Sequence, residues 1–211
     1  WTLAASCEEV LTPARAAGRL IECKYCVGAT VPVSQVGAIM KTDVTAGVSA
    51  TPAAGANQPT RVNGVLNGLP AVRFDGANDF LTFNLPVNGL SGMSLFLVAA
   101  NTANPAGVTG PQNAALFWNE TSSWGTVYLS PFQSGINFRF GTTQTGNSLS
   151  YPRPTSVGSA FTLTAAIKDG TTDALYVNGA LVLSQGGKLA TLAGNQNTGN
   201  VGRGFNDNTY F

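Results

Sequence analysis

From Val27 onward the chain consists of short apolar runs, many alternating with polar residues and most ending in Gly, Asn, Pro or Asp. A period of two sends successive side chains to opposite faces of a strand, so the pattern predicts antiparallel β architecture. Residues 71–74 (AVRF) and 80–83 (FLTF) flank the turn Asp75-Gly76. Residues 93–100 (MSLFLVAA) are almost wholly apolar and predict a central strand covered on both faces. Further strands are predicted over 114–118, 126–129 and 136–140. Phe161, Leu163, Ala165 and Ile167 then alternate with Thr162, Thr164 and Ala166, and a polar turn over 168–173 leads to a strand at 175–177. Asn178-Gly179, between LYV and ALVL, is the strongest local signal, because both residues accept the positive φ of a type I′ hairpin turn. About eight to ten strands at this spacing, without intervening helices, predict a two-sheet sandwich or jelly roll. Phe74, Phe80, Phe96, Phe117, Phe138, Phe140 and Phe161 are expected in its core.

The first thirty residues read differently. Ser6 and Glu9 have capping-box spacing, Thr12-Pro13 suits a helix start, and 14–22 predicts a short helix. The chain is therefore divided into an N-terminal segment, 1–30, and one all-β domain, 31–211. Residues 44–57 and 101–113, rich in Ala, Gly, Thr and Pro, read as surface loops. An opening at Trp1, with no Met and no basic-then-apolar leader, suggests a processed product or an excised piece.

Composition narrows the function. Among 211 residues, 11 Lys and Arg oppose 10 Asp and Glu, so the basic field required for nucleic-acid binding is missing. No run of 18 apolar residues predicts membrane insertion. The absence of His excludes Ser-His-acid and Cys-His catalysis and the commonest zinc ligand sets. Charged residues make up 10% of the chain against roughly 25% in an average globular protein, which leaves a neutral, Thr- and Asn-rich surface. Cys23 and Cys26 have C-x-x-C spacing, but Cys7 is the only further thiol, so one disulfide with a leftover thiol, or three thiols, is expected.

Several segments together resemble the laminin-G-like, concanavalin A-like lectin-glucanase jelly-roll modules of bacterial extracellular and phage proteins. They are NGLPAVRFDGANDFL (67–81), SLFLVA (94–99), DG through LYVNG (169–179) and VGRG (201–204), with a weaker lead-in at 28–37. The resemblance implies two stacked antiparallel sheets with rim loops available to ligands, and an extracellular, secreted or virion setting. It also implies an apolar closing strand after VGRG, where this sequence instead reaches Phe211. A strand from a neighbouring chain could complete such a sheet by β-augmentation.

Glycosidases of this fold class place two carboxylates on one strand. The four Glu here are Glu8, Glu9, Glu22 and Glu120, and Glu120 has no acidic partner two or four residues away. A lyase would have to rely on Tyr128 or Tyr151 near Arg139 or Arg153. The expectation is a non-catalytic protein. Asp75, Asn78 and Asp79 in FDGAND either cap their own turn or supply oxygen ligands to calcium. Trp118 and Trp124 bracket a polar loop; at least one indole is expected near a rim, with both capping the core as the alternative. A glycan would stack on Trp118, Trp124, Tyr128 or Tyr151 and bond to Asn119, Glu120 and Arg139. The leading expectation is thus a recognition or adhesion module for glycan or another surface ligand. The alternative is a structural subunit of an extracellular assembly or virion, self-assembling or completed by a strand-donating chain.

Overall fold

The computed structural model describes residues 22–23, 39–43, 46–52, 55–100, 114–120, 127–132, 135–141, 147–152, 160–192 and 195–204. A three-stranded sheet is formed by β1 (Glu22–Cys23), β2 (Ile39–Asp43) and β3 (Ala46–Ser49). After β4 (Thr51–Pro52), a hairpin of β5 (Thr60–Leu66) and β6 (Leu69–Arg73) turns at Asn67-Gly68, with φ of 51° and 78°. There follow β7 (Leu81–Asn84), β8 (Gly92–Ala99), β9 (Leu116–Glu120), β10 (Val127–Ser130), β11 (Gly135–Phe140) and β12 (Ser148–Pro152). The last four are β13 (Thr162–Asp169), β14 (Thr172–Val177), β15 (Ala180–Gln185) and β16 (Asn195–Val201).

Two antiparallel sheets make the sandwich. One has seven strands in the order β12-β11-β10-β9-β16-β7-β4, and the other four in the order β15-β14-β13-β8. Between them lie Leu81, Phe83, Trp118, Leu129, Phe138, Phe140 and Leu149 from the large sheet and Met93, Leu95, Ala166 and Leu175 from the small one. Each large apolar side chain fully buried here contributes about 1.5–3 kcal/mol. The fold is the all-β sandwich that the alternation predicts.

Three expectations are corrected. Residues 93–100 form β8 as expected, but among the described residues β8 stands at an edge of the four-stranded sheet rather than at its centre. The face of β13 is inverted: its register sets Thr164, Ala166 and Lys168 opposite the inward Leu97, Leu95 and Met93, which leaves Leu163, Ala165 and Ile167 outside together with Phe96. Residues 44–57 hold β3 and β4 instead of a plain loop.

Other readings are met closely. Asn178 and Gly179 turn with φ of 49° and 84°, and Val177 pairs with Ala180. Of the helix expected over 14–22, only Glu22 is described, and it lies in β1, paired with Lys41 of β2. The loop expected over 101–113, Cys7 and Cys26 lie outside the described residues.

Candidate functional site

The large sheet carries a continuous line of side chains across its outer face. Strand register places Ser148 opposite Arg139, Arg139 opposite Tyr128, and Tyr128 opposite Phe117. It continues from Phe117 to Asn200, from Asn200 to Thr82, and from Thr82 to Thr51. Seven strands thus contribute one residue each to a single row. Their neighbours along each strand, such as Phe83, Trp118, Leu129 and Phe138, point into the core, so alternation turns the row outward.

The two ends of the row differ. Arg139, Tyr128, Phe117 and Asn200 are all buried, at 0–3% exposure. Arg139 donates from Nε to Ser148 Oγ at 3.2 Å, and its guanidinium lies 5.7 Å from the Tyr128 ring centroid. Burial pushes the Tyr128 phenol up, against the opposing pull of the Arg139 charge and a hydrogen bond with Ser148. A phenol held protonated in this way is poorly placed to act as a base. At the other end Thr51 is exposed, and its hydroxyl lies 3.3 Å from that of Thr82.

Beside these threonines is a hollow of about 350 Å³, lined by Thr51, Thr82, Phe83, Asn84, Thr198, Gly199, Asn200 and Arg203. The sequence builds it in three steps. Thr82 and Asn84 alternate with Leu81 and Phe83, which turns the polar pair outward. Gly199 removes a side chain where Phe83 presses against β16, because a Cβ there would also lie 2.7 Å from the Phe117 carbonyl oxygen. Gly202, at φ 85°, passes beneath the Phe74 ring and delivers Arg203 to the surface. The Arg203 guanidinium stacks 3.7 Å from the Phe80 ring centroid and donates from Nη2 to Asn200 Oδ1 at 3.1 Å. The hollow therefore presents hydroxyls, amides and an oriented guanidinium beside an aromatic ring, a set that hydrogen-bonds a polyol or a small anion.

Of the residues expected to bind ligand, Trp118, Tyr128, Arg139 and Tyr151 have described side chains, and these lie on two different faces of the large sheet. Trp118 is not at a rim: it is fully buried, edge-on to Phe83 with ring centroids 4.9 Å apart, and donates from Nε1 to the Leu85 carbonyl at 3.1 Å. An indole packed this way satisfies its one donor and presents no face to a sugar. Tyr151 lies opposite Ile136 and packs half-buried against the core, on the face away from Arg139. Tyr128 and Arg139 do meet, but buried in the row. The side chains of Asn119 and Glu120, and Trp124 and Arg153 entirely, lie outside the described residues.

In FDGAND, Asp75 Oδ1 accepts from the N–H groups of Ala77, Asn78 and Asp79 at 2.8, 3.0 and 3.2 Å, while Asp79 Oδ2 accepts from the Asp75 N–H at 3.0 Å. These backbone bonds, first those from Asn78 and Ala77, hold the Asp75 carboxyl below its usual range. The turn caps itself through Asp75 Oδ1. Among the described residues, no group of three or more His, Cys, Asp or Glu gathers around a common point.

Thr51, Thr82, Asn84, Thr198, Asn200 and Arg203 had no place in the expected site. The alternation of Thr82 and Asn84 with core residues marks an outward polar face, and Arg203 lies within VGRG. Only the strand order places them beside one another.

The fold is shared with solved structures. The botulinum neurotoxin serotype G binding domain is similar over 80% of this chain, at 14% identity and a TM-score of 0.55. The serotype D ligand-binding domain, solved in complex with N-acetylneuraminic acid, covers 81% at 15% identity and a TM-score of 0.48. The chain spans about two fifths of the length of each (41% and 43%). Likeness at this identity establishes the β-sandwich and nothing finer. No protein-family model and no curated protein matches the chain. Among the described residues no helix is long and apolar enough to cross a membrane.

Proposed function

We propose that this chain is a non-catalytic recognition module of the laminin-G-like kind, binding glycan or another polyhydroxylated surface ligand in the hollow at the open end of the transverse row. The observation that carries this reading is the convergence of Thr51, Thr82, Asn84, Asn200 and Arg203 on one concave patch of a rigid sheet. Hydroxyl and amide groups fixed on strands suit sugar hydroxyls, and the Arg203 charge favours glycans bearing a carboxylate or sulfate. The sandwich shared with a toxin binding domain is compatible with that role. Such a module acts outside the cell.

Affinity-gel retardation on neutral and acidic polysaccharides tests it. Retardation should occur, and Asn84→Ala together with Arg203→Ala should weaken it about tenfold or more, a neutral hydrogen bond from Asn84 being worth roughly 0.5–1.5 kcal/mol and one from the Arg203 charge roughly 1.5–3 kcal/mol. Absence of retardation on every polysaccharide, or full retention by the double variant, would overturn the assignment. The alternative of a structural subunit in an extracellular assembly or virion draws support from a different surface, the apolar outer face of the small sheet.

A further inference from the structure

Asn-Gly occurs four times in the chain, at 63–64, 67–68, 88–89 and 178–179. Glycine carries no Cβ, so its backbone nitrogen can close on the side-chain carbonyl carbon of the asparagine before it. All four pairs are exposed, so access to water does not distinguish them. Their hydrogen bonds do. At 88–89 the nitrogen that would attack is engaged, since the Gly89 N–H donates to the Leu192 carbonyl at 2.8 Å. At 178–179 the amide that would be attacked is held: Asn178 Oδ1 accepts from the Leu163 N–H at 3.0 Å, and the Asn178 N–H donates to the Leu163 carbonyl at 2.8 Å. The other two pairs lie in the β5–β6 hairpin, which forms a two-stranded sheet of its own. Its register shifts between Val62 and Leu66, across Asn63-Gly64, and Asn67-Gly68 is its turn. Gly64 and Gly68 stand at φ of 67° and 78°.

We propose that Asn63 and Asn67 are sites of spontaneous deamidation, and that the native fold confines this chemistry to the β5–β6 hairpin. The glycine nitrogen bonds to the asparagine side-chain carbon, the bond from that carbon to Nδ2 breaks, and ammonia leaves with the proton of the glycine N–H. Water then opens the five-membered imide to aspartate or isoaspartate. One conversion takes the formal net charge of the chain from +1 to neutral. Isoaspartate at 67 would route the backbone through the side-chain carbon and so disrupt the two-residue turn, whose geometry depends on its length. The chemistry belongs to the hairpin and is independent of whether the hollow on the large sheet binds glycan.

Peptide mapping of the full chain tests the proposal. Cleavage after Arg61, Arg73, Arg139, Lys168 and Lys188 places Asn63 and Asn67 in peptide 62–73, Asn88 in 74–139 and Asn178 in 169–188. The folded protein is held in warm, mildly alkaline buffer and digested with trypsin. Fragmentation mass spectrometry then locates each amide-to-carboxyl conversion, and enzymatic methylation detects isoaspartate. The expected result is conversion in 62–73, with Asn88 and Asn178 slower by roughly two- to tenfold for each native hydrogen bond that must open first. In urea the four pairs should convert at similar rates, because the protecting bonds are then gone. Native conversion at Asn88 or Asn178 as fast as in 62–73 would overturn the proposal. So would an unreactive 62–73 in a chain that converts when unfolded, or the same spread of rates in urea as in buffer.

Discussion

Lys168 and Asp173 face each other across β13 and β14, with Nζ 2.9 Å from Oδ1 and neither side chain exposed. The Lys168 ammonium also lies 5.1 Å from the centroid of the Phe140 ring, in the opposite sheet. Asp173→Ala removes the carboxylate and leaves a buried ammonium whose remaining attraction is to that ring. Breaking a buried pair from one side costs about 3–5 kcal/mol. For a chain of this size that corresponds to a fall in Tm of roughly 6–20 °C. Lys168→Met should cost less. Burial already pushes the Asp173 carboxyl above the ordinary carboxylate range, with Lys168 only partly opposing it, so a carboxyl that loses its partner can take up a proton, and Lys188 also faces it. The combined Lys168→Met and Asp173→Ala variant should cost clearly less than the two single costs added together, because no charge is then left buried. Urea unfolding of the four proteins at pH 7 measures this, with the coupling read from the double-mutant cycle. Strictly additive single and double variants, or an Asp173→Ala cost below about 1 kcal/mol, would refute the reasoning.

Two further outcomes follow from the large sheet. Gly199→Ala should destabilise the fold by about 1–3 kcal/mol, seen as an earlier urea midpoint with unchanged slope, since the added methyl meets the Phe83 ring and the Phe117 carbonyl. Tyr128 has a raised folded-state pKa, so on unfolding above pH 10.0, its ordinary value, it releases a proton that the folded chain retains. Stability should therefore fall as pH rises from 10.0 toward the folded value, and Tyr128→Phe should flatten that part of the alkaline unfolding curve.

Much of the architecture was legible because it is local. Turn chemistry at Asn178-Gly179 places a hairpin where positive φ is tolerated, and apolar alternation marks β7, β11 and β14 to within a few residues. The Asn67-Gly68 hairpin carries the same signal and could have been read in the same way. Alternation does not say which of two faces is inside. On β13 the residues Leu163, Ala165 and Ile167 look like core, yet pairing with Met93, Leu95 and Leu97 turns Thr164, Ala166 and Lys168 inward instead. A strand has two faces with a period of two, and only its partners choose between them.

The candidate site shows the same division. Composition by itself removed imidazole chemistry and a nucleic-acid-binding charge, and the aromatic and amide content pointed toward a ligand with hydroxyl groups. Trp118 could have stood at a rim or in the core, and the Phe83 ring with the Leu85 carbonyl decided for the core. The hollow draws Thr51, Thr82, Asn200 and Arg203 from segments up to 152 residues apart. Spacing along a chain fixes what a strand presents to each side; which strands become neighbours depends on how the whole sandwich closes its core. That closure placed β16 between β7 and β9 and so created the hollow.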